Sequence, residues 1–242
     1  VLIRTGAVVL ASGGLGGLFS HSTYPSDVWG ASYAMGFRAG AAVADMEFIQ
    51  FEPLVGYRPE KLRGYVFPTT LFGDGACLRD NSGKRFLLEH RPQGEAGIGK
   101  EALVLAIADA ARRGRARSSG AVLLDAREVP VSVLEGYPWL YQYLLRKNTD
   151  LVRDVVEVLP AAHTCLGGIV VDTSRATRVD YLFAAGEAAT GVHGAGRLAG
   201  GSGTDVIVSG ARSGDSAARA AQTWASWSVL RDLYCESFTD EA

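Results

Sequence analysis

Two glycine-rich turns, each following a short apolar run, constrain the fold of this chain most. The first run, residues 7–11, ends at Ser12 and enters Gly13 and Gly14, and the second run, residues 181–185, enters Gly186. A short apolar run that enters a tight glycine turn is typical of a buried strand in an α/β domain. The long stretch between the turns is mixed in pattern. We therefore predict one α/β domain interrupted by an insertion, and insertions of this kind commonly form a lid over the parent domain's site.

The remaining periodicity predicts the other elements. Apolar residues at helical spacing predict a long helix over residues 100–113, and Arg112 and Arg113 in its last turn suit the negative end of the helix dipole. The same reasoning predicts helices over residues 30–43, 131–146 with a break at Pro138, and 204–225, and strands over residues 46–51, 121–125 and 167–171.

Composition excludes several classes of protein. The net charge is −2 and no basic stripe is present, which argues against a nucleic-acid partner. No apolar run reaches the roughly 18 residues that span a bilayer, so we predict no transmembrane segment. The three cysteines are odd in number and widely spaced, which argues against a disulfide framework or a metal site and favours reduced thiols in a cytoplasmic protein. The chain begins inside a strand-like segment, which predicts a fragment.

A nucleotide-binding fingerprint needs a specific context that this chain does not provide. The segment from Gly194 to Ala199 matches G-x-G-x-x-A. However, it does not directly follow a strand, and no acidic residue closes a second strand about 20 residues later. The sequence therefore disfavours a nicotinamide-dependent dehydrogenase.

Three longer segments carry a family resemblance. Residues 37–53 read FRAGAAVADMEFIQFEP, residues 163–169 read HTCLGGI, and residues 182–202 contain LFAAGE and VHGAGRLAGGS. In order and spacing they resemble the patterns RAGA, DMEF, QFHP, HYTMGGI, LYAAGE and VHGANRLGGNS of fumarate reductase/succinate dehydrogenase-type flavoproteins. L-aspartate oxidase and adenylylsulfate reductase flavoproteins are relatives in that family.

The resemblance implies an architecture, a cofactor and partners. The fold class would be α/β plus α+β, as part of an FAD-binding α/β domain with an inserted α+β capping domain. Residues 1–30 and 163–242 would be FAD-binding segments, and residues 31–162 the capping domain. FAD is the implied cofactor, with weak binding expected from this chain alone because the N-terminal FAD-binding segment is missing. The other implied partners are a small-molecule substrate and an electron-transfer subunit.

The resemblance also assigns cofactor contacts. Backbone N–H groups where a glycine-rich loop enters a helix can hold an anion or the electron-rich edge of a flavin. By resemblance, Glu187 bonds the ribityl or ribose part of FAD and Ser202 contacts the isoalloxazine. Gly203, which stands where the family usually has Leu, and the turn at Gly13 and Gly14 complete the cofactor set. The alternative is a structural loop whose glycines only permit tight turns.

Three residues are the candidate catalytic set. The planar fork of Arg197 suits a carboxylate, and the resemblance places it at the substrate carboxylate beside the flavin, so it also belongs to the cofactor set. By the same resemblance His163 bonds substrate, and Glu52, in place of the QFHP histidine, is expected to point into the same cavity. A surface arginine paired with a local acid and a structural histidine are the alternatives, and His193 is interpreted as structural.

Two departures from the family pattern bear on the substrate. An ungapped count places Leu105 where the family has a proton-shuttle arginine, and leucine cannot carry a proton. Lys100 is a candidate replacement, although a solvated helix lysine is the simpler interpretation. Glu52 is expected to repel a second carboxylate, which disfavours fumarate or succinate and favours a monoanionic, neutral or cationic-tailed substrate.

The sequence therefore predicts an FAD-dependent oxidoreductase, in fragment form, that transfers hydride between flavin and a small carboxylate-bearing substrate. The alternative is a non-catalytic member of the flavoprotein family that serves as a binding or assembly module, which the lost arginine would favour.

Overall fold

A computed structural model describes residues 2–223 of the chain, and these residues form two compact units. Unit 1 contains residues 2–15, 28–48 and 165–223, and unit 2 contains residues 16–27 and 49–164. Each unit is therefore assembled from separate stretches of sequence, with unit 2 contributed mainly by the long central stretch.

Eight strands and five α-helices make up the two units. The strands are β1 Val8–Leu10, β2 Val43–Ala44, β3 Ile49–Arg58, β4 Cys77–Arg79, β5 Val122–Asp125, β6 Val156–Cys165, β7 Gly168–Ile169 and β8 Leu182–Ala184. The helices are α1 Ala31–Arg38, α2 Lys100–Arg112, α3 Val131–Glu135, α4 Pro138–Arg146 and α5 Gly201–Thr223. Short 3-10 helices occupy Gly16–Leu18, Glu60–Leu62, Thr69–Asp74, Phe86–Glu89 and Gly186–Ala188.

Unit 1 joins the two glycine turns through a parallel strand pair. Strands β1 and β8 align with Val8 opposite Leu182 and Leu10 opposite Ala184, and β2 pairs with β7 in the antiparallel sense. Helix α5 packs against β1 and β8 through small side chains, Ser209, Ser213 and Ala217. Small residues let a helix approach a sheet closely, so the start of α5 is held at the carboxyl end of the parallel pair.

Unit 2 is a four-stranded sheet with helices packed on it, in the strand order β3-β6-β5-β4. Helix α2 packs against β3, where Leu103 and Ile107 join Leu54 in a fully buried core. The apolar residues of α2 thus lie on one face of the helix, and this face packs on the sheet.

A buried carboxylate fixes the loop that follows β4. The Asp80 Oδ1 atom accepts bonds from the Ser82 N–H at 3.0 Å, the Ser82 hydroxyl at 2.7 Å and the Lys84 N–H at 2.9 Å. Its Oδ2 atom accepts two bonds from Arg115, at 3.0 and 2.8 Å. Burial by itself raises the pKa of Asp80, but these bonds outweigh it and lower the pKa to about 2.

Most predicted elements are observed, with shifts in their ends. The helix predicted over residues 100–113 is α2, and the predicted break at Pro138 is confirmed because α4 begins there, with the proline in its first turn. Helix α5 begins at Gly201, three residues before the predicted start. Strand β6 was not predicted, because Pro160 lies within it and proline cannot donate to a sheet. Within residues 2–223, no helix has the length and apolarity needed to cross a bilayer.

Candidate functional site

The first glycine turn, in unit 1, is fastened to the start of α1 by two serines. The Ser12 N–H donates to the Ser32 hydroxyl and the Ser32 N–H donates to the Ser12 hydroxyl, both at 3.0 Å, and the two hydroxyls lie 2.6 Å apart. Gly13 has a φ of 79°, in the left-handed region that glycine adopts without strain. The reciprocal bonds cap α1 from outside the helix and hold the turn in one conformation.

The side chain and the backbone carbonyl of Glu187 each accept a hydrogen bond. Its Oε1 atom accepts the Cys165 N–H at 2.7 Å, and its carbonyl accepts the Tyr33 hydroxyl at 2.8 Å. These bonds connect β6, α1 and the 3-10 helix that follows β8. Burial raises the pKa of the Cys165 thiol, which favours its protonated form.

The HTCLGG segment ends in two glycines that packing requires. A Cβ added at Gly167 would lie 2.2 Å from the Asp45 carbonyl oxygen, and one added at Gly168 would lie 2.7 Å from the Ala188 carbonyl oxygen. The Thr190 hydroxyl donates to the Asp45 carboxylate at 2.9 Å. Within unit 1, the backbone at Gly167 and Gly168 therefore approaches the backbone of Asp45 and Ala188 too closely for any side chain at these two positions.

The loop over residues 191–200 leads into α5 and exposes its backbone. Gly194 and Gly200 have φ values of 57° and 79°. A Cβ added at Gly194, Gly196, Gly200 or Gly203 would meet no protein atom within 4 Å. The backbone here can be approached closely by a bound group, which glycines along a ligand-binding turn typically permit.

Arg197 lies within this glycine-rich loop and is half-buried. Its Nη1 atom donates to the Leu198 carbonyl at 3.1 Å, and its side chain packs beside Gly201, 3.6 Å from where a Cβ would be. The Gly201 N–H also donates to Leu198, at 3.0 Å. The guanidinium is therefore positioned at the first turn of α5, where the positive end of the helix dipole also favours negative charge.

These features meet the requirements of a flavin. A helix N-terminus, a neighbouring guanidinium and glycine backbone open to close approach are suited to an electron-rich planar ring. Glu187, Arg197, Ser202 and Gly203 all lie in this part of unit 1, and Gly13 and Gly14 follow the paired strand β1. The structure thus brings the predicted cofactor residues into one unit.

A cavity of about 700 Å³ in unit 1 lies alongside α5 and was not predicted. Arg175 lines it with a φ of 68° and only 7% exposure, and its Nη2 atom lies 3.8 Å from the Asp205 Oδ1 atom. His193 lies 3.7 Å from the other carboxylate oxygen of Asp205. This contact lies between the loop and α5. Sequence reasoning missed Arg175, because no periodicity in the sequence marks an arginine whose backbone adopts the left-handed conformation.

His163 belongs to unit 2, where Thr23 orients it. The Thr23 hydroxyl and the His163 Nδ1 atom lie 2.9 Å apart. The Thr23 N–H donates to the Ala162 carbonyl, and the Ala162 N–H donates to the His21 carbonyl, both at 2.9 Å. Residues 16–27 therefore run alongside β6 and set the ring of His163 in place, an orienting contact that sequence reasoning missed.

Glu52 is paired with Lys100. The Lys100 Nζ atom lies 2.6 Å from the Glu52 Oε2 atom, with the Glu52 residue 3% exposed and the Lys100 side chain 44% exposed. Lys100 is exposed at the start of α2, as a solvated helix lysine would be, and it is also paired with Glu52. The ammonium group balances the carboxylate, which weakens the repulsion of a second carboxylate expected at Glu52. Leu105 is 64% exposed on α2.

Comparison with known proteins gives the family. Residues 1–202 match the FAD binding domain family. The chain belongs to this family. It is 35% identical to a fumarate reductase (CoM/CoB) subunit of Methanothermobacter marburgensis over 92% of this chain and 41% of that protein. It is 38% identical to L-aspartate oxidase of Nostoc sp. over 87% of this chain and 36% of that protein. The chain thus spans about two fifths of the length of these relatives.

Solved structures give the same result. The Mycobacterium smegmatis Sdh1 structure in complex with UQ1 matches with a TM-score of 0.80 and 33% identity, over 94% of this chain and 39% of that one. The Escherichia coli quinol fumarate reductase FrdA structure matches with a TM-score of 0.76 and 29% identity, over 90% of this chain and 39% of that one. The mixed helix and sheet fold is that of this flavoprotein family, and the predicted resemblance is confirmed.

Proposed function

We propose that this chain is the part of an FAD-dependent oxidoreductase that contacts the reactive end of the flavin and the substrate. Bound FAD supplies hydride transfer, and the residues here hold the ring and orient the substrate. Glu187, Ser202 and Gly203 are the proposed cofactor contacts, with Gly13 and Gly14 at the neighbouring turn. The observation that carries the proposal is the open glycine backbone around Arg197 at the start of α5.

The proposed substrate carries at least one carboxylate. Arg197 offers a planar fork of donors beside the helix N-terminus, which is the arrangement that holds a carboxylate best. His163, oriented by Thr23 at 2.9 Å, is the proposed second substrate contact. Because Lys100 balances the charge of Glu52, repulsion at Glu52 no longer disfavours a dicarboxylate such as fumarate. The substrate class includes both monocarboxylates and dicarboxylates.

We assign roles to the two units on the same basis. Unit 1 is the proposed flavin-binding part, and unit 2 is the proposed capping domain, with Glu52 and His163 as its contributions to catalysis. An electron-transfer subunit that reduces or oxidises the flavin, and a cytoplasmic location, complete the proposal. The relatives that support it include L-aspartate oxidases and a fumarate reductase subunit.

Flavin content and turnover test this proposal in two steps. The intact protein that contains this chain, purified without added cofactor, should show flavin absorbance in the visible range. It should then oxidise a reduced artificial dye when a carboxylate-bearing alkene is added. A protein without flavin would refute the cofactor assignment. A protein with flavin but without turnover on mono- and dicarboxylates would favour the non-catalytic alternative.

A further inference from the structure

We propose that the cavity of about 700 Å³ beside α5 in unit 1 binds an organic carboxylate, a molecule with one carboxylate group and an apolar body. This is a second site, and it does not depend on the proposed flavin and substrate contacts. Three observations carry it: a buried arginine whose donors lack hydrogen bonds, exposed apolar side chains beside it, and the first turn of α5 in the cavity wall.

The guanidinium group of Arg175 is buried without the acceptors that it needs. Its side chain is 9% exposed, and its Nε and Nη2 atoms make no hydrogen bond to any residue that the structure describes. The Nη2 atom lies 3.8 Å from the Asp205 Oδ1 atom, beyond hydrogen-bonding distance. Buried polar groups in proteins are almost always hydrogen-bonded, and a buried cation without acceptors is costly. Arg175 therefore requires an acceptor that these residues do not supply.

Two other arginines of this chain show which group completes the same edge of a guanidinium. The Nε and Nη2 atoms of Arg127 donate to the two carboxylate oxygens of Asp125, both at 2.9 Å. The Nε and Nη2 atoms of Arg115 donate to the Asp80 carboxylate at 3.0 and 2.8 Å. The planar edge of a guanidinium matches a carboxylate in geometry and charge. Arg175 lines the cavity, so a rotation of its side chain towards the cavity would present this edge to a carboxylate there.

The charges around the cavity also favour an anion. Arg175 and Arg212 line it, together with the first turn of α5, where the positive end of the helix dipole lies. Two carboxylates line it as well. Asp172 is engaged within its own turn, where its Oδ1 atom accepts three hydrogen bonds. Asp205 is then a single carboxylate beside two guanidinium groups, which leaves a positive balance.

Apolar side chains determine what the rest of the ligand is. Val192, Leu198 and Val208 line the cavity and are 54%, 84% and 48% exposed. Covering exposed apolar surface is favourable, and a cavity of this volume accommodates a small organic molecule rather than a lone ion. The ligand is therefore a carboxylate with an aromatic or aliphatic body.

The test must separate this cavity from the proposed substrate contact at Arg197. Gly196 and Leu198 line the cavity, whereas Arg197 between them does not. The intact protein that contains this chain is therefore prepared as Arg197→Met, and benzoate binding is measured by titration calorimetry. The same background is compared with Arg175→Met added and with Arg219→Met added. Arg219 is an exposed arginine of α5 outside the cavity, so its variant controls for the loss of a charge.

We expect benzoate to bind the Arg197→Met background with a stoichiometry of one. Arg175→Met should weaken this binding at least about tenfold, and Arg219→Met should change it less than about threefold. Benzyl alcohol, which lacks the carboxylate, and acetate, which lacks the apolar body, should each bind at least about tenfold more weakly than benzoate.

Thermal unfolding distinguishes a ligand contact from a structural arginine. Without benzoate, Arg175→Met should not lower the melting temperature, because its Nε and Nη2 atoms make no hydrogen bonds to the described residues. Benzoate should raise the melting temperature of the background but not of the Arg175→Met variant. If Arg175→Met does not fold, Arg175→Gly replaces it, since glycine adopts the φ of 68° at this position without strain.

The outcomes that overturn the inference leave the proposed function untouched. Benzoate that binds the parent but not the Arg197→Met background would occupy only the proposed substrate contact. Affinity retained within about threefold in Arg175→Met, or lost equally in Arg219→Met, would show that Arg175 does not hold the carboxylate. The proposed function fails instead on flavin content and turnover, which this titration does not measure.

Discussion

Removing the charge of Asp80 should make the stability of this protein less sensitive to acid. The pKa of Asp80 falls from an ordinary value of 3.8 to about 2, because the bonds from Ser82, Lys84 and Arg115 outweigh burial. At roughly 1.4 kcal/mol per pKa unit, this shift corresponds to about 2 kcal/mol of folding free energy. A lowered pKa stabilises the folded state above the unfolded value, so this contribution is complete above pH 3.8 and is lost as the pH falls towards 2.

The assay is urea unfolding of the parent and Asp80→Asn at several pH values. We expect Asp80→Asn to lower the free energy of unfolding by at least about 2 kcal/mol near neutral pH, since its amide also turns a donor towards Arg115. The difference should shrink steadily below about pH 4. Asp109→Asn is the matched control, because Asp109 pairs with Arg112 and Arg113 on the surface of α2 and should change stability by less than about 1 kcal/mol. A parent–variant difference that stays constant down to pH 2 would refute the reasoning.

Three further predictions concern unit 1. Arg197→Ala should lower kcat/KM by an amount that corresponds to about 2–4 kcal/mol of lost transition-state stabilisation, and Arg197→Lys should recover only part of it because the planar fork is lost. Steady-state kinetics measure both variants, and an Arg197→Ala variant as active as the parent would contradict the site. Gly167→Ala should lower the free energy of unfolding by more than about 2 kcal/mol, because its Cβ would lie 2.2 Å from the Asp45 carbonyl oxygen. Gly210 lies in open space on α5, so Gly210→Ala should leave stability unchanged or raise it in thermal unfolding. Ser12→Ala should lower the free energy of unfolding by about 1 kcal/mol, because its hydrogen bonds to Ser32 are lost. An unchanged melting temperature would show that these bonds do not hold the turn.

The sequence predicted the elements whose periodicity is local. Helix α2 and strands β1 and β8 follow from short-range apolar spacing, and the break at Pro138 follows from the missing N–H of proline. Strand β6 could not be found in this way, because Pro160 interrupts its pattern and its neighbours β3 and β5 are distant in sequence. This segment forms a strand because it pairs with β3 and β5, which are distant in sequence.

The candidate site was predicted only where a motif carries it. Glu187, Ser202 and Arg197 lie in glycine-rich segments with a recognisable pattern. The partners of the catalytic candidates were missed, because Thr23 is 140 residues from His163 and Lys100 is 48 residues from Glu52. An ungapped count led to Leu105, and counting could not show that Lys100 faces the Glu52 carboxylate on a neighbouring strand.

The most direct test of the proposed function is the reoxidation of the reduced flavin by substrate. The FAD-loaded intact protein is reduced without oxygen and mixed with fumarate or crotonate while flavin absorbance is followed. We predict that the parent regains its oxidised flavin spectrum with at least one probe, and that Arg197→Ala does so at least about 30-fold more slowly at equal flavin content. A protein that holds no flavin, or reoxidation that is equally fast in Arg197→Ala, would contradict the assignment of this chain as the flavin- and substrate-contacting part of an oxidoreductase.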